Sequence, residues 1–167
     1  GPIFALILAH FMTHDDKFSY NKLFAIIVGL IGVCFILGFD SLKGMFSINY
    51  FLIVPKLTVI LAVLGYVISS IIAYNLKNIN TVTLTTFAMI GAAIISLPFM
   101  IFVEYQNTSI PSKNSLLALM YLGFFPTAIA YLLRFHIISK AGPIFLSYVS
   151  YLIPGFAIFW GFIFLGE

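Results

Sequence analysis

The sequence predicts an all-α, polytopic bundle of transmembrane helices, and three observations carry that expectation. First, 62% of the 167 residues are hydrophobic and 8% are charged, with a mean hydropathy of +1.15. A soluble domain has about 25% charged residues, so this chain cannot cover a globule with solvated side chains, and its solvent is lipid. Second, the apolar residues fall in runs close to the roughly 20 residues that a helix, rising about 1.5 Å per residue, needs to cross a hydrocarbon core. Third, the polar punctuation between the runs is short. In lipid every backbone group must be paired internally, which leaves helices or a closed barrel, and these runs are too long for barrel strands.

The first segment, Pro2 to Met12, is closed by "THDDK" and is too short to span alone, as a helix entered partway along would be. The second runs from about Leu23 to Phe39, and the third from about Leu57 to Leu76. The fourth covers about Thr81 to Val103, the fifth about Ser115 to Ile138, and the sixth Pro143 to Leu165. "KNIN" at Lys77–Asn80 and "SKAG" at Ser139–Gly142 read as tight turns, so the helices they join are expected to be antiparallel. The stretches Asp40–Lys56 and Glu104–Asn114 are longer connections, and no soluble domain fits in any loop.

The net charge of +3 comes from eight scattered cations with no basic run, which gives no nucleic-acid patch. Alternating sides along the chain group Lys17, Lys22, Lys77, Arg134 and Lys140 against Lys43, Lys56 and Lys113, and the positive-inside rule puts the larger set in the cytoplasm. The single cysteine, Cys34, excludes an internal disulfide and a Cys-based zinc framework, and reads as a buried, inert thiol. No cofactor and no metal are expected. There is no G-x-x-x-x-G-K-[ST], HExxH or G-x-S-x-G in the sequence, which argues against nucleotide-driven chemistry and against a membrane-embedded enzyme.

The two ends of the chain can be laid on each other. "PIFALILAHFMTHD" and "PGFAIFWGFIFLGE" superpose with an offset of 152, pairing Pro2 with Pro154, Phe4 with Phe156 and Ala5 with Ala157, and an acid closes each. Three identities do not by themselves separate a repeat from chance. The odd number of segments between the equivalent points adds weight, because it makes the copies inverted in the membrane, the plan of many secondary transporters.

The run "AYLLRFHIISKAGPIFLSYVSYLIPGFAIFWGFIFLGE" resembles the closing half of an EamA-type domain, the repeated unit of the drug/metabolite transporter superfamily. The matching positions are Tyr131, Gly142, Ser147, Tyr151–Pro154 and Leu165–Glu167. "NKLFAIIVGLIGVCFILG", with Gly29, Gly32 and Gly38, resembles the last helix of such a repeat. The resemblance implies a ten-helix parent of two inverted five-helix repeats, of which this chain holds part of the fourth helix through the ninth. Residues 1–39 then close the first repeat, 40–56 connect, and 57–167 form the second repeat without its last helix. "THDD" departs from the Gly-Glu pair common at that point in the family.

Polar groups within the apolar runs are the candidate site residues. Tyr66, Ser70 and Tyr74 make one stripe at i, i+4 and i+8, which either lines a solute pathway or bonds neighbouring helices. Ser147, Tyr148 and Tyr151 precede Pro154, and Tyr131 lies three residues before Arg134. Arg134 is expected either to snorkel to the headgroups or to meet an anionic solute group. Pro98, Pro126 and Pro154 each remove a helix hydrogen bond and mark kinks or hinges. The hydroxyls of Thr81 and Thr85 are expected to bond their own helix. Asp15 and Glu167 stand at helix C-terminal ends, where the macrodipole disfavours an anion, and are read as structural acids that cap the following helix.

The leading expectation is a secondary transporter of a small organic metabolite or drug-like solute in the bacterial inner membrane, working by alternating access. The alternative is a non-transporting membrane fragment or subunit that needs a partner chain or missing helices, with an enzyme a distant third. The expected partners are the lipid bilayer and the solute.

Overall fold

The computed structural model describes the backbone of residues 1–38, 50–104 and 112–166, and the side chains of all of these except residues 50–52, 103 and 104. Every regular element among the described residues is helical: α1 (Pro2–Met12), α2 (Tyr20–Leu37), α3 (Tyr50–Asn75), α4 (Thr81–Glu104), α5 (Lys113–Leu122), a π-helical segment (Gly123–Ile129), α6 (Ala130–Ser147) and α7 (Val149–Leu165). Among the described residues four stretches are long and apolar enough to cross a membrane: Tyr20–Leu37, Ile53–Asn75, Thr81–Phe102 and Lys113–Ser147. The polytopic all-α reading therefore holds.

Several boundaries differ from those the sequence suggests. α3 begins at Tyr50, well before Leu57, and so takes in Pro55 and Lys56. Proline is tolerated inside a membrane helix because local adjustments and neighbouring groups serve the freed carbonyl. α2 begins at Tyr20, with Ser19 as its extended N-cap, and ends at Leu37, with Gly38 as its C-cap at a φ of 78° that only glycine adopts readily. The expected turn over Ser139–Gly142 shrinks to one residue. Helix continues through Ala141, and only Gly142 (φ 87°, ψ 165°) breaks it before Pro143 starts again. A second, softer irregularity falls at Tyr148, where two i→i+3 bonds tighten the turn, Tyr148 N to Phe145 O at 3.1 Å and Tyr151 N to Tyr148 O at 3.0 Å.

The chain divides into two compact units, Gly1–Asn75 with Ala141–Glu167, and Leu76–Lys140. In the first, α1 packs against α2 and α3, and α2 packs against α7. Its core is Ala5, Leu6 and Ala9 of α1, Ile26 of α2, Val67 and Ile71 of α3, and Ile144 just past the Gly142 break, with Phe4, Leu8, Leu23 and Tyr148 against it. Ala5 and Ala9 sit one turn apart, and small residues at that spacing let helix backbones approach closely. In the second unit, Ser112 caps α5 by accepting from Ser115 N at 3.2 Å, and Asn80 Oδ1 accepts from Val82 N at 2.8 Å at the start of α4. Large apolar side chains cover the outside of both units, for example Phe24, Phe35, Phe156 and Phe162 in the first and Phe87, Phe99, Phe102 and Phe124 in the second. Water would not tolerate such a surface, whereas lipid does.

Candidate functional site

The polar residues of the first unit gather where α1 ends. Thr13 is buried, and its hydroxyl lies 2.7 Å from Ala9 O and 3.1 Å from Asp16 O, one proton shared between two carbonyls. That turn folds "HDDK" back so that Asp16 points inward. Asp16 Oδ1 meets Lys22 Nζ at 2.7 Å, and Oδ2 accepts from Ile144 N at 3.1 Å. Lys22 Nζ also donates to Lys17 O at 2.8 Å, and Lys17 Nζ to His10 O at 3.1 Å.

The reason lies in the Gly142 break. A new helix leaves its first N–H groups without intrahelical partners; Pro143 has none to offer, so Ile144 presents the first. Asp16 serves it from across the unit, as an N-cap acceptor whose negative charge suits a helix N-terminus. Gly142 is required twice. Its φ is in the glycine region, and a Cβ there would lie 2.6 Å from Asp16 Oδ2. Asp16 is buried (8% exposed) while Asp15 is exposed, and the helix start that Asp16 caps lies 128 residues away. The doubled "DD" and the Gly-Pro of "AGP" were the available signals. Glu167 lies outside the described residues.

Above this cluster a seam joins α2 and α7. Tyr151 Oη donates to Ile26 O at 3.1 Å, and Tyr148 Oη makes a longer contact of 3.5 Å with Lys22 O, one turn away on the same face. The Tyr151 ring occupies the space over Gly29 that any Cβ would need. Ser147 Oγ donates to Ile144 O at 2.6 Å. Of the residues expected along a pathway, Ser147, Tyr148 and Tyr151 therefore use their hydroxyls on backbone carbonyls. The α3 stripe is not uniformly inward: Ser70 is buried and donates to Tyr66 O at 2.9 Å, Tyr74 is half-buried, and Tyr66 is 51% exposed. Asn75 Nδ2 donates to Met12 O at 3.1 Å, tying the end of α3 to the end of α1.

In the second unit Arg134 is buried, with Cζ 5.2 Å from the Tyr131 ring centroid and 5.5 Å from that of Phe135. The guanidinium lies within cation–π distance of both rings. Thr85 Oγ1 donates to Thr81 O at 2.7 Å, within its own helix. Pro98 lies inside α4 and Pro154 inside α7; Pro126 sits in the π-helical segment. Pro126 has no N–H to give Leu122 O, and Thr127 Oγ1 donates to that carbonyl at 2.8 Å. Proline thereby favours a widened register at this point, which the sequence alone did not reveal. No group of three or more His, Cys, Asp or Glu side chains is placed to hold a metal ion among the described residues.

The EamA-like transporter family model matches residues 54–167. Two Bacillus subtilis (strain 168) proteins are similar along the chain. "Uncharacterized transporter YoaV" is 23% identical over 99% of this chain and 56% of its own length, and "Uncharacterized transporter YxxF" is 26% identical over 99% of this chain and 51% of its own. The chain spans about half the length of these curated relatives. No solved structure matches it. Apolar spans joined by brief turns, tied by tyrosines and by one carboxylate, thus meet a match covering well over half the sequence: the chain is an integral membrane protein and belongs to the EamA-like transporter family.

Proposed function

We propose that this chain is part of a secondary transporter that moves a small organic metabolite or drug-like solute across the plasma (inner) membrane by alternating access. The observation that carries the reading is the EamA-like match over residues 54–167. Breaks within long apolar helices support the mechanism. The π-helical segment around Pro126, the single-residue break at Gly142 and Pro154 inside α7 are places where a span can bend without unfolding. Solute movement draws on a gradient, the larger cation set faces the cytoplasm, and helices outside this chain complete two inverted five-helix repeats. Tyr131 with Arg134 offers solute a π face and a positive charge, and Tyr66 and Tyr74 offer phenols.

Counter-flow of labelled metabolites into liposomes holding the full-length protein tests the reading. Saturable exchange that an unlabelled solute competes away is the expected result. Equal uptake by empty liposomes across a panel of amino acids, nucleosides and amphipathic drugs would overturn it.

A further inference from the structure

We propose, on the transporter reading above, that Asp16 is a latch that holds shut the membrane face at which it lies, and that the transport cycle passes through its release. Asp16 joins two stretches that are remote in sequence, the turn after α1 and the helix start after Gly142, and one carboxylate makes both joints: Lys22 Nζ on Oδ1 and Ile144 N on Oδ2. Beneath it Ile144 shares an apolar core with Ala5 and Ala9 of α1 and Ile26 of α2. Apolar contact is non-directional and tolerates sliding and tilting, whereas a carboxylate on one N–H is directional and is either made or broken.

The surroundings suit reversible release. Asp16 is nearly closed off, yet His14, Asp15 and Lys17 beside it are exposed, and Lys22 is 32% exposed. Water reaching this end can replace both partners of Asp16 without carrying a charge into the apolar core. The Gly142–Pro143 break gives the latch something rigid to hold. Pro143 is fully buried and fixes the helix start, so pulling on Ile144 N moves the helix as a body. The bare α-carbon of Gly142 admits the carboxylate, and no other residue type would.

The test is maleimide labelling of the full-length protein in detergent micelles, in a background with Cys34→Ser and every other cysteine replaced by serine. One reporter is Ile144→Cys, at a position with 0% exposure that keeps its backbone N–H, and a control reporter is Ala73→Cys in α3, at 4%. Losing a hydrogen bond to a charged group shifts an opening equilibrium by about 10- to 100-fold, so Asp16→Ala should raise labelling at position 144 by that factor and leave position 73 unchanged. An unchanged rate at 144 overturns the latch. So does an equal rise at both positions, the mark of general unfolding and not of one released joint. Should Asp16→Ala not stay monodisperse, Lys22→Met decides, since it removes the ion pair and leaves the cap on Ile144. A rise of roughly 2- to 5-fold confined to position 144 is expected for a partly exposed pair, and no rise overturns the proposal. Labelling needs no solute, so absent counter-flow with labelling as expected would count against the transporter reading alone.

Discussion

Replacing Gly142 with alanine is the sharpest perturbation of this fold, and its size follows from two terms. The backbone at φ 87°, ψ 165° lies in a region that is essentially glycine's, and a side chain there costs about 1–3 kcal/mol. The new methyl would also stand 2.6 Å from Asp16 Oδ2 and 2.9 Å from its Cγ, so the carboxylate must withdraw from Ile144 N. Lys22 is long enough to follow Asp16, so the ion pair survives and the loss is one charge-assisted hydrogen bond, about 1.5–3 kcal/mol. Together the substitution should destabilise by about 3–5 kcal/mol. Gly166 is the internal control. Its φ of 69° is also positive, but nothing lies within 4 Å of its Cβ position, so Gly166→Ala should cost only about 1–2 kcal/mol. Unfolding of this chain, solubilised in detergent, by dodecyl sulfate and followed by the fluorescence of Trp160, its one tryptophan, compares the two. In an Asp16→Ala background the Gly142 substitution should lose its contact term and retain its backbone term. If Gly142→Ala and Gly166→Ala lie within about 1 kcal/mol of each other, the account of the Gly142–Asp16 contact is wrong.

Three further outcomes are expected with the same unfolding assay. Gly29→Ala should destabilise by about 1–3 kcal/mol because the methyl meets the Tyr151 ring, whereas Tyr151→Phe removes one hydroxyl bond and should cost only about 0.5–1 kcal/mol; the reverse order would show that the seam is not packed as described. Thr127→Val should cost about 1 kcal/mol by removing the hydroxyl's bond to Leu122 O, and an unchanged or stabilised protein would refute that role. Asn75→Leu should cost about 0.5–1 kcal/mol by freeing the Met12 carbonyl, and a stabilised protein would count against that tie.

The helices were legible because lipid makes hydrophobicity itself the structural signal. α1 and the start of α4 fall where the apolar runs and "KNIN" put them. The start of α3 was not, because Pro55 and Lys56 read as the end of a loop, and only the membrane's demand for paired backbone carries helix through them. The resemblance of the closing run to an EamA-type domain is matched by the family comparison over residues 54–167. The site was less legible. Superposing the chain's two ends drew the eye to Asp15, yet burial goes to its neighbour, since a choice between adjacent acids is made by contacts 128 residues away. Tyr148 and Tyr151 looked like pathway residues because hydroxyls on apolar helices are rare; their carbonyl partners on α2 leave no mark in local sequence. Pro126 was visible as a break, but the widened register around it leaves no mark in local sequence.

A phenol ring seated in the notch at Gly29 works as a dowel. Shearing α7 lengthwise along α2 would carry the Tyr151 ring off the notch toward Ile26 or Val33, about one turn away on the same face, whereas pivoting about the ring keeps it seated over Gly29. Whatever travel these two helices make together is thereby restricted to rocking about a fixed peg, and the smallest residue in the pair decides where that peg stands.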